Sequence, residues 1–204
     1  MKELIFNNII PMSISIFAIM DPPAAIPTLV TYIESLKDST RDMNNMVAQI
    51  VNRVSLTVFI LLTLFSLAGE YILKFFNIDI VSLKIAGGIL LIAVAIDMLI
   101  TGHKPESISR GDLAVVPIAT PLIVGPGTMS TLIIYSKLYG SILTLVSAYI
   151  ALAISYPLLR YSYKIFRFLG TTTLQGIGKF MSLIIAAIAV SLIMSGLRDL
   201  NLVT

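Results

Sequence analysis

Residues 17–27 read FAIMDPPAAIP and place one charge and a proline pair in the middle of an apolar run. The run extends from about Ile5 to Ile33, and Asp21 is its single charge. Proline removes a backbone donor and clashes with the carbonyl one turn back, so we expect a helix interrupted at Asp21-Pro22-Pro23. An acid inside such a run is costly in lipid, which makes Asp21 a candidate functional residue. Because the apolar run resumes after the break, we do not expect a removable signal peptide.

The composition of the whole chain is that of a membrane protein. Of 204 residues, 57% are hydrophobic and 12% are charged, against roughly 45–50% and roughly 25% in soluble domains. A membrane-spanning helix needs about 20 apolar residues, so the chain has room for about six. The net charge of +3 comes from scattered cations rather than a basic patch, so nucleic acid is not an expected partner. With no Cys and one His, we expect no metal site on sulfur or histidine and no cofactor.

Uncharged apolar windows predict six spans, at about residues 5–33, 54–69, 85–101, 113–136, 141–159 and 180–197. We therefore expect an all-α polytopic membrane protein with six transmembrane helices in two three-helix repeats, residues 1–101 and 113–204, joined by a loop at 102–112. Three spans in each half make the repeats inverted, as in many secondary transporters. The loops after spans one, three and five, together with Arg53 and Lys179 at their edges, hold most of the Lys and Arg. This bias predicts a plasma (inner) membrane protein with both termini extracytoplasmic.

A second break, Gly125-Pro126-Gly127, interrupts the fourth span. Discontinuous helices 1 and 4 would therefore occupy corresponding positions in the two repeats. If the two halves are aligned with Pro22 at the position of Pro126, Ala24 corresponds to Thr128. Freed backbone groups need partners inside the membrane, and half-helix N-termini carry partial positive charge. A zwitterion fits such a site, with its carboxylate on the amides and its ammonium on carbonyls or on Asp21. The alternative is that these prolines and glycines only kink their helices. The candidate substrate-binding residues are Asp21, Pro22, Pro23, Ala24, Ala25, Gly125, Pro126, Gly127 and Thr128.

Asp97 is the second carboxylate within a predicted span. It could couple transport to H⁺ or Na⁺, or it could reach the membrane interface or pair with Arg53. Gly87-Gly88 is expected to allow close helix packing rather than ligand contact. Hydroxyl side chains could line the site or bond to their own backbone, and the candidates are Ser13, Ser15 and Thr120.

Three motifs together carry a resemblance to a known family. They are residues 17–27, residues 85–90, which read IAGGIL, and residues 117–127, which read PIATPLIVGPG. With these motifs the chain resembles, over essentially its whole length, the MarC (UPF0056) family of six-span inner-membrane proteins, which includes SnatA-like small neutral amino acid transporters. The family usually has Gly, and often Asn, at the positions of Ala24 and Ala25. The resemblance implies transport of glycine, alanine and similar substrates.

We therefore expect a secondary transporter of small neutral amino acids that alternates access about a midplane site, and not an enzyme. Its expected partners are a substrate such as glycine or alanine, the lipid bilayer and, in a homo-oligomer, further copies of the chain. One alternative is an exporter or channel for another small solute. Another is an intramembrane aspartyl protease that uses Asp21 and Asp97, although neither residue lies in a recognisable catalytic motif.

Overall fold

The computed structural model describes residues 2–35, 43–101 and 123–200, and all regular structure within these ranges is helical. Asp21 divides the first helical stretch in two, and Tyr161 separates the last two helices. In chain order the helices are α1 (Lys2–Met20), α2 (Pro22–Ser35), α3 (Met43–Phe75), α4 (Ile80–Thr101), α5 (Pro126–Tyr139), α6 (Ser141–Arg160) and α7 (Ser162–Asp199).

Five stretches of the described chain are long and apolar enough to cross a membrane. They are Asn7–Glu34, which combines α1 and α2, then Met43–Phe75, Ile80–Ile100, Ser141–Arg160 and Ser162–Asp199. At 1.5 Å per residue α5 is about 21 Å long, short of a hydrocarbon core of about 30 Å. The expected fourth span is therefore described only in its second half, because residues 113–122 lie outside the described ranges, as does the expected 102–112 loop.

Several helices extend well beyond the predicted apolar windows. α3 begins at Met43 rather than near Val54, and α7 begins at Ser162 rather than near Phe180. Residues 160–179, between the fifth and sixth predicted spans, are helical except at Tyr161 and at Gly170, where φ 73 kinks the chain, so this connection is a short helix and not an irregular loop. Lys and Arg are good helix formers, so a hydropathy window marks the lipid-facing part of a helix and not its ends.

The α3 and α6 helices pack antiparallel. Arg160 Nη1 donates to the Asn44 carbonyl at 3.5 Å near one end, and the Tyr149 and Thr63 hydroxyls lie 2.8 Å apart further along. The face of α6 that is buried in the bundle carries small and hydroxyl side chains, which let the helices approach closely. Its members are Thr144, Ser147, Ala148, Ala151 and Ser155.

Glycines set the contact between α4 and α7, which also pack antiparallel. A Cβ on Gly88 would lie 2.7 Å from the Ala189 carbonyl oxygen, and one on Gly196 would lie 3.3 Å from the Val81 carbonyl oxygen. Each glycine lets the partner helix approach at a position where its own helix has no side chain, as predicted for Gly88. At one end of this helix pair, Lys84 Nζ of α4 forms a salt bridge with Asp199 Oδ2 of α7 at 2.6 Å.

Candidate functional site at two helix breaks

The first break is a single residue wide. Asp21 has φ 39, in the left-handed region that Asn and Asp enter more readily than other non-glycine residues. The Ala24 amide donates to the Asp21 carbonyl at 3.2 Å and lies 3.4 Å from Asp21 Oδ1. Pro22 then occupies the first helical position, where a missing N–H costs little. The sequence Asp-Pro-Pro therefore both ends α1 and caps α2.

The carboxylate of Asp21 is buried and only partly satisfied. The residue is 4% exposed, and Oδ2 has no hydrogen-bond partner within the described residues. Its neighbours along the chain belong to two apolar clusters, Met20 and Ala25 to one and Ile19 and Ala24 to the other. A buried polar atom without a partner carries a desolvation cost, so this oxygen is suited to accept from a ligand.

The second break begins α5. Gly125 is extended, with φ −82 and ψ −179, and Pro126 follows at the start of the helix. A Cβ on Gly127 would lie 2.4 Å from Leu91 Cδ2, so only glycine lets α4 approach this turn without displacing Leu91. The Met129 amide donates to the Gly125 carbonyl at 3.0 Å. The amides of Gly127 and Thr128 lie earlier in the first turn than the Met129 amide, so they have no acceptor within the helix.

The structure brings the two breaks together inside the bundle. A Cβ on Gly127 would lie 3.7 Å from Ile19 Cγ2, two positions before Asp21. Met20 and Ala25, on either side of the first break, belong to the same core cluster as Ile123 and Val124, which precede the second. α2 and α5 are both 14 residues long and both begin with proline.

Most of the predicted substrate-binding residues are buried at these breaks. Pro23 and Gly125 are half-buried, and Pro126 is exposed. The Ala24 Cβ lies 3.4 Å from the position of a Cβ on Gly178 of α7, so a glycine on the neighbouring helix accommodates its methyl group. The buried members are Asp21, Pro22, Ala24, Ala25, Gly127 and Thr128.

Asp97 occupies a different environment. It lies on the exposed side of α4, between the buried residues Ala95 and Met98. The two carboxylates are therefore not in a common buried pocket, and the role of Asp97 in ion coupling stays a prediction.

Two hydroxyl groups further along α5, those of Thr131 and Tyr135, were not predicted from the sequence. Thr131 is fully buried, and its Oγ1 has no hydrogen-bond partner within the described ranges. The Tyr135 hydroxyl lies beside the Ser15 side chain, where α5 packs against α1. The spacing of Thr128, Thr131 and Tyr135 is a signal that could have identified them, since i, i+3 and i+7 share one face of a helix. Among the hydroxyls considered above, Ser13 bonds to its own backbone at Ile9 (2.8 Å), and Thr120 lies outside the described residues.

A surface cavity of about 400 Å³ lies at the α3–α4 turn, away from both breaks. Glu70 Oε1 accepts from Lys137 at 3.0 Å and from Lys74 at 3.1 Å on its wall. Asp79 caps α4 here, and hydrogen bonds from the Ser82 hydroxyl and amide hold the pKa of Asp79 below its usual range. The remaining lining residues are Leu73, Asn77, Ile78 and Ile80.

The helices define a polytopic α-helical membrane protein whose first span is interrupted at Asp21. The chain belongs to the MarC family of integral membrane proteins, whose family model matches residues 6–201. This confirms the family resemblance expected from the three motifs.

Similar chains occur in archaea and bacteria. A UPF0056 membrane protein of Methanocaldococcus jannaschii is 32% identical, over 90% of this chain and 93% of its own length. YvbG of Bacillus subtilis is 30% identical, over 97% of both chains. YhcE of Escherichia coli is 30% identical, over 92% of this chain and 90% of its own. No solved structure matches the chain.

Proposed function

We propose that this chain is a SnatA-like secondary transporter of small neutral amino acids such as glycine and alanine in the plasma (inner) membrane. The observation that carries the proposal is a buried Asp21, whose Oδ2 has no hydrogen-bond partner among the described residues, at one helix break beside a second break at Gly125-Pro126-Gly127. Transporters build midplane sites from such discontinuous helices.

The two breaks offer complementary groups to a zwitterion. Pro22 and Pro23 have no N–H, and the Ala24 amide already faces Asp21, so the start of α2 offers mainly the carboxylate. The start of α5 instead offers the amides of Gly127 and Thr128, which have no acceptor within the helix. We assign the substrate ammonium to Asp21 and the substrate carboxylate to the α5 amides, where the helix dipole favours a negative charge.

Close packing at the second break favours a small substrate. Leu91 and Ile19 both lie close to the Gly127 backbone. A glycine or alanine side chain adds at most one methyl group beside them. A leucine side chain would overpack this region, which is energetically unfavourable.

The helix contacts support an inverted repeat of residues 1–101 and 113–204. α3 packs antiparallel on α6, and α4 packs antiparallel on α7. α2 contacts α7 and α5 contacts α4. If α2 is exchanged with α5, α3 with α6 and α4 with α7, the α2–α7 contact becomes the α5–α4 contact. The α3–α6 and α4–α7 contacts each map onto themselves. A two-fold axis in the membrane plane produces this pattern. We infer that access alternates by rocking of these halves about the breaks.

The remaining assignments belong to the same proposal. Asp97 is the candidate for coupling to H⁺ or Na⁺, because an ionisable group that can reach a membrane interface can exchange ions there. We propose that the protein has no further cofactor and no enzymatic activity. We also propose that both termini are extracytoplasmic and that the chain forms homo-oligomers. The protease alternative is disfavoured because a carboxylate dyad must share one site, whereas Asp21 is buried and Asp97 exposed.

Uptake of labelled glycine into proteoliposomes tests the proposal. We expect saturable uptake that excess unlabelled alanine suppresses and excess lysine does not, with acceleration by a pH or Na⁺ gradient identifying the coupling ion. Linear, non-competable flux would indicate a channel. A lack of uptake under any gradient would contradict glycine transport and favour export or transport of another small solute.

A further inference from the structure

The first two turns of α7 are separated from the rest of that helix. Gly170 has φ 73 and ψ 169, a conformation that side-chain-bearing residues rarely adopt, and a Cβ there would meet nothing within 4 Å. Residues 162–169 therefore form a short helix with its own direction, here named the elbow segment.

The inner face of the elbow segment packs against the half-helix that begins at the first break. Tyr163, Phe166 and Leu169 contact the cluster formed by Ile26 and Val30 of α2, together with Leu174. Ile26 and Val30 are fully buried by these contacts. The elbow segment is therefore a direct neighbour of α2, which carries Asp21 at its N-terminus.

The outer face of the elbow segment is cationic and aromatic. Lys164 and Arg167 are exposed, and Phe168 is 88% exposed. Lys164 Nζ lies 5.7 Å from the centroid of the Tyr161 ring, and Arg167 Cζ lies 6.0 Å from that of Tyr163. The sequence has no Asp or Glu between residues 160 and 198, so no acid of this stretch neutralises the two cations or Arg160 before them.

We propose that the elbow segment binds the headgroup of an anionic phospholipid through Lys164 and Arg167. Exposed cations beside exposed aromatic rings are typical of the level where lipid headgroups meet acyl chains, and each such cation is attracted to anionic lipid. The guanidinium of Arg167 can bind a phosphate with two parallel hydrogen bonds. Phe168 would lie at the boundary with the acyl chains. Charge complementarity and position at the end of the bundle both favour a lipid over a soluble anion.

Bound lipid would also stabilise α2 in one position, since the elbow segment packs on Ile26 and Val30. This consequence rests on the proposed function, because it predicts that anionic lipid changes transport through the Asp21 break. The binding itself does not depend on what the protein transports.

Native mass spectrometry of the purified full chain tests the binding by measuring how much phosphatidylglycerol and how much phosphatidylcholine the protein retains. We expect the double variant Lys164→Gln, Arg167→Gln to bind phosphatidylglycerol roughly 30-fold more weakly, as expected from two interfacial cations. The matched control removes the same charge at the other end of the bundle, as Lys74→Gln with Arg198→Gln, and should retain wild-type affinity. Equal loss in both double variants, or in neither, would overturn the proposal.

Two further experiments are needed. The first distinguishes lipid from free phosphate as the bound anion, and the second distinguishes lipid binding from the proposed transport function. Competition by inorganic phosphate that matches phosphatidylglycerol would assign the site to free phosphate and overturn the lipid assignment. Glycine uptake should be faster in vesicles that contain phosphatidylglycerol than in pure phosphatidylcholine, and the elbow double variant should lose this difference. Absence of uptake in every lipid contradicts the proposed function and leaves the binding result standing. Lipid-independent uptake contradicts the coupling to α2.

Discussion

Asp21 satisfies two local requirements that an asparagine would also meet. Both residue types tolerate the left-handed backbone found there, with φ 39, and both can accept from the Ala24 amide. Asn differs by lacking the negative charge. Substitution at this position can therefore separate the part of Asp21 that forms the break from the part that would bind an ammonium group.

We predict that Asp21→Asn leaves the melting temperature unchanged or raised, because it removes a buried carboxylate whose Oδ2 has no partner within the described residues. Glycine binding should weaken about 10- to 100-fold, the range of one charge-assisted hydrogen bond. Thermal unfolding and glycine binding on the same preparation measure both effects. A destabilised variant with normal binding would show that Asp21 serves the fold alone.

Gly127 tests the second break. We predict that Gly127→Leu abolishes glycine uptake, because even its Cβ would lie 2.4 Å from Leu91 Cδ2 and the rest of the side chain would fill the space beside the break. Gly176→Ala is the matched control, since a Cβ there meets nothing within 4 Å and alanine favours the helix. Uptake by membrane-inserted Gly127→Leu at the rate of this control would contradict the site assignment.

The sequence identifies the residues at the breaks but not all of their surroundings. Asp-Pro-Pro and Gly-Pro-Gly act through their own backbones, so their local effect can be predicted without knowing the neighbours. The burial of Thr131 and the proximity of Tyr135 to Ser15 depend on how α5 packs against its neighbours, which no local pattern specifies. Asp97 illustrates the same limit, because hydropathy alone does not say which side of α4 faces the bundle.

At the scale of helices, the antiparallel contact between α4 and α7 depends on missing side chains. Gly88 faces the Ala189 carbonyl, and backbone cannot move aside as the end of a side chain can. The predicted role of Gly88 in close packing follows from its type. Its partner helix, in contrast, is known only from the fold.

We predict that Gly88→Ala destabilises the protein by about 1–3 kcal/mol, the usual effect of overpacking a close contact. Its new Cβ would lie 2.5 Å from Ile193 Cγ1 and 2.7 Å from the Ala189 carbonyl oxygen. Thermal unfolding in detergent, with Gly176→Ala as the helical control, measures this effect. An equal or higher melting temperature than that control would show that the α4–α7 contact is loose.

Helix ends were predicted less well than helix centres. Apolar windows located the middle of α3, α4, α6 and α7, yet they missed the extension of α7 back to Ser162. The position of the elbow could not be predicted, because glycines in the same helix behave differently. Gly176 and Gly178 lie within regular helix, whereas Gly170 adopts φ 73. Only the surrounding packing decides which glycine uses its conformational freedom.

At the scale of the molecule, charged groups lie at two ends of the bundle. Asn77 is at the end that also holds the Glu70–Lys137 and Lys84–Asp199 pairs, and the exposed Lys164 is near the end marked by Arg160 and Asn44. The distribution of Lys and Arg predicts that the Asn77 end is extracytoplasmic.

Single cysteines can test this orientation directly, since the natural chain contains none. We predict that Asn77→Cys reacts with a membrane-impermeant maleimide in intact cells, whereas Lys164→Cys reacts only after permeabilisation. The unsubstituted chain controls for background. The reverse pattern would invert the topology, and labelling of both sites from outside would contradict a spanning bundle with these two ends.

The central claim is that the two breaks form one binding site for a small zwitterion, and equilibrium binding of labelled glycine to the purified protein tests it most directly. Wild type, Asp21→Asn and Gly176→Ala should be compared in the same detergent. The account predicts saturable binding that alanine displaces, retained by Gly176→Ala and weakened about 10- to 100-fold by Asp21→Asn. Saturable glycine binding of equal affinity in wild type and Asp21→Asn would contradict it.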